Sequence, residues 1–113
     1  MLVAFSFRAK PGREREFEEA LNNPESGRVF AKLMGASRNT LFLKGGRMIR
    51  VVEFPEGRTP VPLGEIAKQD PEVREFLKKL GGLAEDGFDP DVPGSLEAFN
   101  SRITFPLAYD VRP

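Results

Sequence analysis

The sequence has no cysteine, no histidine and no tryptophan, and only one tyrosine. Without cysteine there can be no disulfide, no thiol nucleophile and no cysteine-held zinc or iron–sulfur centre. Without histidine the chain lacks the commonest general base and the commonest metal ligand. Serine–histidine triads, histidine-zinc hydrolase sites and histidine-ligated haem are excluded with it, and no metal or cofactor is expected. Neither sign of charge prevails, because 17 basic side chains balance 17 acidic ones. Nucleic acid or an anionic membrane would call for a basic surplus, so neither is expected as a partner. No hydrophobic run approaches the ~20 residues of a membrane-spanning helix. Residues 1–8 carry no basic leader and no long apolar stretch, so they read as a strand and not as a signal peptide. A cytoplasmic location is therefore expected. The 113 residues are expected to form a single domain, 1–113, that buries roughly two-thirds of the surface its unfolded chain exposes.

What is present alternates and caps clearly. Val3, Phe5 and Phe7 share one side of a first strand, and Leu2, Ala4 and Ser6 share the other. Arg13 to Leu21 predicts a helix with Phe17 and Leu21 on one face. Asn23-Pro24 offers an N-cap followed by proline at the first helical position. The second helix is expected to end at Gly35, with Val29, Phe30, Leu33 and Met34 facing inward. Two β-rich runs, 38–44 and 47–54, flank Gly45-Gly46, a strong hairpin signal because the tight primed turns need positive φ. The turn sets the register. Phe42 opposes Ile49, Thr40 opposes Val51 and Arg38 opposes Glu53 on one face. Leu43 opposes Met48, Leu41 opposes Arg50 and Asn39 opposes Val52 on the other. A short helix is expected at Leu63–Gln69. Asp70-Pro71 opens another, with Val73, Phe76, Leu77 and Leu80 as its buried stripe and Gly81-Gly82 as its end. An acidic loop covers 85–94, Ser95 caps a short helix bearing Leu96 and Phe99, and a last strand runs from Ile103 to about Ala108. Pro106 confines that strand to an edge or a bulge.

The order strand, helices, hairpin, helices, strand is that of the ferredoxin-like folds. The expected class is α+β, an antiparallel sheet with helices on one face, of the dimeric α+β barrel type. Both sides of the hairpin are apolar, whereas a sheet covered on one side keeps its other side polar. Helices are expected over one side and a second copy, related by a two-fold axis, over the other. The hairpin leaves open which is which, with the side of Leu41, Leu43 and Met48 as the dimer face to test. The plainer alternative is that loops and the C-terminal segment fold over the second side.

Several segments together resemble a known family. They are Phe7 with Pro11-Gly12, the run Arg38–Leu43, Gly46-Arg47, Ile49–Glu53, Ala67–Arg74, and Phe99, Arg102 and Pro106-Leu107. In order and spacing they resemble the SchA/CurD-like proteins of actinomycete gene clusters for aromatic polyketides and spore pigments, over nearly the whole chain. The resemblance implies a polyketide-like small molecule as ligand and a place in such a pathway, but it names no reaction. Relatives carry a histidine before the Gln69–Val73 segment or near the C-terminus. This chain has none, so no histidine chemistry carries over. Likeness to cofactor-free monooxygenases and small polyketide cyclases is analogy at the level of fold.

Arg50 is the most informative candidate. It projects mid-strand among Leu41, Leu43, Met48 and Val52, and a guanidinium there requires an oxygen partner. It suits the enolate or phenolate oxygen of a polyketide; the plainer readings are a salt bridge across the dimer or a side chain that snorkels to water. Arg38 and Glu53 are expected to pair, and in a catalytic reading they line a pocket mouth with Glu53 as general base. Asn39 and Thr40 are candidates to orient a substrate oxygen. Phe42, Phe76 and Phe99 are candidates to stack on a flat ligand, and Tyr109 to donate a proton; the plainer readings are core packing for the phenylalanines and an exposed terminal tyrosine. The acidic loop lacks the spacing of a calcium site and reads as solvated. Two functions stand side by side: a cofactor-free cyclase or tailoring enzyme, and a non-catalytic protein that binds an intermediate or docks to other pathway enzymes. A closed apolar cavity containing Arg50 or Glu53 separates them; without one the enzyme reading weakens.

Overall fold

The computed structural model describes all 113 residues. β1 (Leu2–Arg8) leads into α1 (Glu14–Leu21) and α2 (Pro24–Met34). The hairpin β2 (Arg38–Lys44) and β3 (Arg47–Glu53) follows. After it come α3 (Leu63–Gln69), α4 (Pro71–Leu83), α5 (Ser95–Ile103) and a two-residue β4 (Thr104–Phe105). The strands lie in the order β2-β3-β1-β4, all pairs antiparallel. This is the ferredoxin-like α+β fold with helices on one face, the subunit architecture of the dimeric α+β barrel type. No helix is long and apolar enough to cross a membrane.

Local chemistry accounts for the boundaries. Gly45 and Gly46 take φ of 56° and 78°, the left-handed pair that a two-residue hairpin turn demands. Gly46 is required twice, because a Cβ there would sit 2.5 Å from Cγ of Glu14. Its amide donates to Glu18 Oε2 at 2.7 Å, which pins α1 against the turn. Asn23 caps α2 by accepting from the Ser26 amide. Asp70 caps α4 by accepting from the amides of Glu72 and Val73 at 3.0 and 3.2 Å, and Pro71 supplies a helical φ without a donor that would go unpaired.

The side of Leu41, Leu43 and Met48, the candidate dimer face, is the one the helices occupy, and Met48 is almost wholly buried. The Phe42 side is the open one: Phe42, Ile49 and Phe105 remain 58%, 43% and 60% exposed. The hairpin alone cannot decide between its two apolar sides, but β1 does. Phe5 pairs with Arg50 and Phe7 with Met48, while the small Ala4 and Ser6 face Val51 and Ile49. Bulk on one side of β1 marks where the helices pack. There Phe7 meets Phe17 and Phe99 edge-on, with ring centroids 5.5 and 5.0 Å apart. Phe88 packs on Phe99 at 4.7 Å.

Three further boundaries and stripes differ. In α2 only Phe30 and Met34 turn inward, while Val29 and Leu33 are exposed. α2 lies over the edge strand β2, where a narrow stripe suffices. The C-terminal strand pairs only at Thr104 and Phe105, because α5 continues through Ile103 and Pro106 has no N–H to extend the ladder. α4 does not stop at Gly81-Gly82 but continues to Leu83. Gly81 is a packing residue: a Cβ on it would lie 2.0 Å from the carbonyl oxygen of Phe88. Gly81→Ala is therefore expected to destabilise the fold by about 1–3 kcal/mol through overpacking against backbone. Gly82→Ala, which meets open space, is expected to stabilise it by up to about 1 kcal/mol through helix propensity. Urea titrations of the two variants check the contrast, which vanishes if the loop at Phe88 can move aside without cost.

Candidate functional site

An apolar cleft of about 270 Å³ lies between the covered face of the sheet and α3, α4 and α5. Of its 24 lining residues, 18 are hydrophobic, among them Phe5, Phe7, Phe30, Phe54, Phe76, Phe88 and Phe99. Its polar lining consists of Arg50, Asn39, Asn100 and Thr104. The volume falls just under the roughly 300–1,000 Å³ of ordinary ligand sites. It suits a compact ring system and not an extended chain.

Arg50 is placed there by register. It stands opposite Phe5 on one side and Leu41 on the other, in the middle of a three-strand row. Nη1 donates to Asn39 Oδ1 at 2.7 Å, and Asn39 Nδ2 donates in turn to the Gly27 carbonyl at 3.0 Å. The amide is thus held from α2 so that its oxygen meets the guanidinium. None of the six salt bridges includes Arg50. Burial alone pulls its pKa below the ordinary arginine value, yet a guanidinium stays charged in proteins. Arg50 is therefore a half-buried cation whose one side-chain partner is a neutral amide. No buried side-chain nitrogen or oxygen lacks a hydrogen bond. The N–H groups of Arg50 that Asn39 does not take must therefore open on accessible space.

Arg50 also forms part of a second, more polar cleft beside β2, shared with Asn39, Arg28, Arg38, Asn22 and Ser37. It stands where the apolar and the polar cleft meet. A ligand seated among the phenylalanines would present an oxygen at that junction, where Arg50 and Arg38 supply positive charge and Asn39 holds the guanidinium in place.

The structure brings together Arg50, Asn39, Phe76 and Phe99 in the apolar cleft, with Phe76 tilted against Phe30 at 5.3 Å. It brings Arg38 to the polar side. Glu53 is not part of either cleft. It is exposed at the far end of β3, aligned with Arg38 as the register requires, but no ion pair joins the two. Glu53 is thus not positioned as a base for anything held by Arg50. Thr40 and Phe42 point to the open side of the sheet, because they share the parity of Arg38. Tyr109 lies beyond β4, 76% exposed and far from service as a proton donor in the cleft. Asn100, Thr104, Phe30 and Phe54 were not legible as cleft residues. Asn100 and Thr104 belong to the junction of α5 and β4, and a sequence boundary off by one residue there turns a side chain away. In the acidic loop Asp91 is engaged by Arg74 and Lys78, each at 2.7 Å. Lys78 and Arg74 hold its carboxyl below the usual range, and Asp91 in turn raises Lys78. No group of three metal-type ligands occurs.

The chain is similar to the protein named Polyketide synthase CurD of Streptomyces cyaneus, with 34% identity over 110 residues. That alignment takes in 96% of this chain and spans 29% of the length of the relative. No protein-family model matches. In three dimensions the chain resembles the crystal structure of the L-rhamnose mutarotase of Formosa agariphila, with a TM-score of 0.60 and 13% identity over 99% of both chains. At that identity the likeness is one of fold.

Proposed function

We propose, with the likeness to a segment of Polyketide synthase CurD as the premise, that this chain is a SchA/CurD-like protein of an aromatic polyketide pathway. It binds a compact, flat intermediate in the apolar cleft and holds one enolate or phenolate oxygen of it on Arg50. The observation that carries this reading is the lone guanidinium. A cation on an apolar sheet face, with a neutral amide as its partner, costs stability that no contact within the subunit repays. An anionic oxygen at the junction of the two clefts restores the balance through charge-assisted, bidentate hydrogen bonds. The phenylalanine lining supplies stacking surface, and the small volume selects fused rings over a long chain.

The lining also separates the two functional readings. It holds no carboxylate, no histidine and no tyrosine. No ordinary side chain there accepts a proton, so the geometry favours holding and polarising an intermediate over abstracting its protons. A cyclase role survives in one form, where stabilising an enolate that forms readily is itself sufficient. Deleting the gene in the producing strain and profiling metabolites by mass spectrometry tests the pathway assignment. An accumulated early aromatic or shunt product is expected, cleared by the wild-type gene and not by Arg50→Met. An unchanged profile overturns the assignment.

A further inference from the structure

The polar cleft beside β2 is unbalanced in charge, although the chain as a whole carries 17 basic and 17 acidic side chains. Its volume is about 600 Å³, more than twice that of the apolar cleft. Three of its 13 lining residues are arginines, Arg28, Arg38 and Arg50, and none is an aspartate or a glutamate. The three stand differently. Arg28 is matched by Glu25, three residues earlier on α2. Arg50 has only the neutral Asn39. Arg38 joins no salt bridge, although Glu53 is its cross-strand neighbour on β3. Glu53 lies three residues beyond Arg50, a rise of roughly 10 Å along a strand. Two uncompensated guanidiniums at that range, both lining one cleft, gain from a shared counter-charge. The two clefts are also continuous, because Leu21, Asn39 and Arg50 line both.

We propose that the polar cleft is a second subsite for the same ligand, and that Arg38 there receives a carboxylate carried on a short side arm. This rests on the reading that the ring lies in the apolar cleft with one oxygen on Arg50. The ligand is then a diacid in charge: a fused ring with one ionised oxygen and, on the neighbouring ring carbon, an aliphatic arm that ends in a carboxylate. Leu41 and Leu43 also line the polar cleft and give the arm an apolar wall to lie against. The charge count selects a carboxylate over a phosphate. Glu25 already holds Arg28, so Arg38 alone is free to meet one negative charge, and the fork of a guanidinium fits the two oxygens of a carboxylate.

Fluorescence titration with four naphthalene acids tests this: 2-naphthoate, 3-propyl-2-naphthoate, 3-(2-carboxyethyl)-2-naphthoate, and the isomer of the last with its arm on carbon 6. 2-Naphthoate reports the ring site alone. The 3-carboxyethyl acid is expected to bind at least ~10-fold more tightly than the 3-propyl acid. Arg38→Met should remove that advantage and leave the affinity for 2-naphthoate within ~2-fold. Arg38 is exposed, so its replacement should leave the fold intact. The carbon-6 isomer carries the same charge away from the polar cleft and should gain nothing from Arg38. If the 3-carboxyethyl and 3-propyl acids bind alike, or if Arg38→Met weakens both carboxyethyl isomers equally, the subsite is overturned while the Arg50 site stands. If 2-naphthoate binds Arg50→Met as well as it binds the wild type, the ring site fails and the subsite falls with it.

Discussion

Phe42→Asp combined with Ile49→Asp is expected to leave the subunit folded and to abolish self-association through the open face of the sheet, with dimer affinity falling more than ~1,000-fold. Each of these side chains would bury apolar surface worth ~1.5–3 kcal/mol, and the two-fold axis counts each of them twice. The replacement also forces carboxylates into a dry contact, a heavier cost than the lost area. The fold of the subunit should be untouched, because both positions already face water within it. Sedimentation equilibrium reads the association, and thermal unfolding at low concentration reads the subunit. A dimer of undiminished strength would place the contact elsewhere. The same substitutions at Leu43 and Met48 would have a different meaning. Met48 lies in the core under the helices, so aspartate there unfolds the subunit and reports nothing about association.

Arg50→Met is expected to separate binding from stability in a way that few core substitutions do. Methionine replaces the aliphatic stem of the arginine without its guanidinium and suits the apolar row between Phe5 and Leu41. Removing a partly buried charge relieves desolvation, so stability should hold or rise by up to about 1 kcal/mol. Affinity for an anionic flat probe such as 2-naphthoate should fall by ~30–100-fold, the equivalent of ~2–3 kcal/mol for a charge-assisted hydrogen-bonded pair. Its neutral counterpart, 2-methylnaphthalene, should bind both proteins alike, because the phenylalanine lining is unchanged. Fluorescence titration of the two probes against the two proteins gives the four affinities. If Arg50→Met loses stability and both probes bind as before, Arg50 is a structural residue and the cleft is not an anion site.

The sequence made some of this architecture plain for a physical reason. Gly45-Gly46 admits one tight turn, and that turn alone fixes every pair from Lys44–Arg47 to Arg38–Glu53. Caps at Asn23 and Asp70 were equally direct, since side chain and backbone lie within a few residues of each other. Arg50 stood out because a charge interrupts an apolar face. What the hairpin could not reveal was which of its two greasy sides the helices choose. That choice is non-local: it is made by the bulk of Phe5 and Phe7 on β1, more than forty residues away in sequence. The choice leaves Glu53, Thr40 and Phe42 outside the site together, because a strand's side chains change sides as one set. The role of Gly81 was hidden for the same reason. A glycine near a helix end looks like a stop signal until the backbone of Phe88 is seen against it. Arg38 joined the site despite its parity, because it begins an edge strand and its side chain reaches the cleft around that edge.

The claim on which the functional account rests is that the guanidinium of Arg50 receives the anionic oxygen of a ligand lodged among the phenylalanines. The side-chain nitrogen–proton correlation of Arg50 Nε, followed by NMR as 2-naphthoate is added, observes that contact directly. A large, saturable downfield shift of the Arg50 proton, absent with 2-methylnaphthalene, is the predicted result. An Arg50 signal that stays in place while the resonances of Phe76 and Phe99 move would contradict the account, because the ring would then be bound without its charge being met.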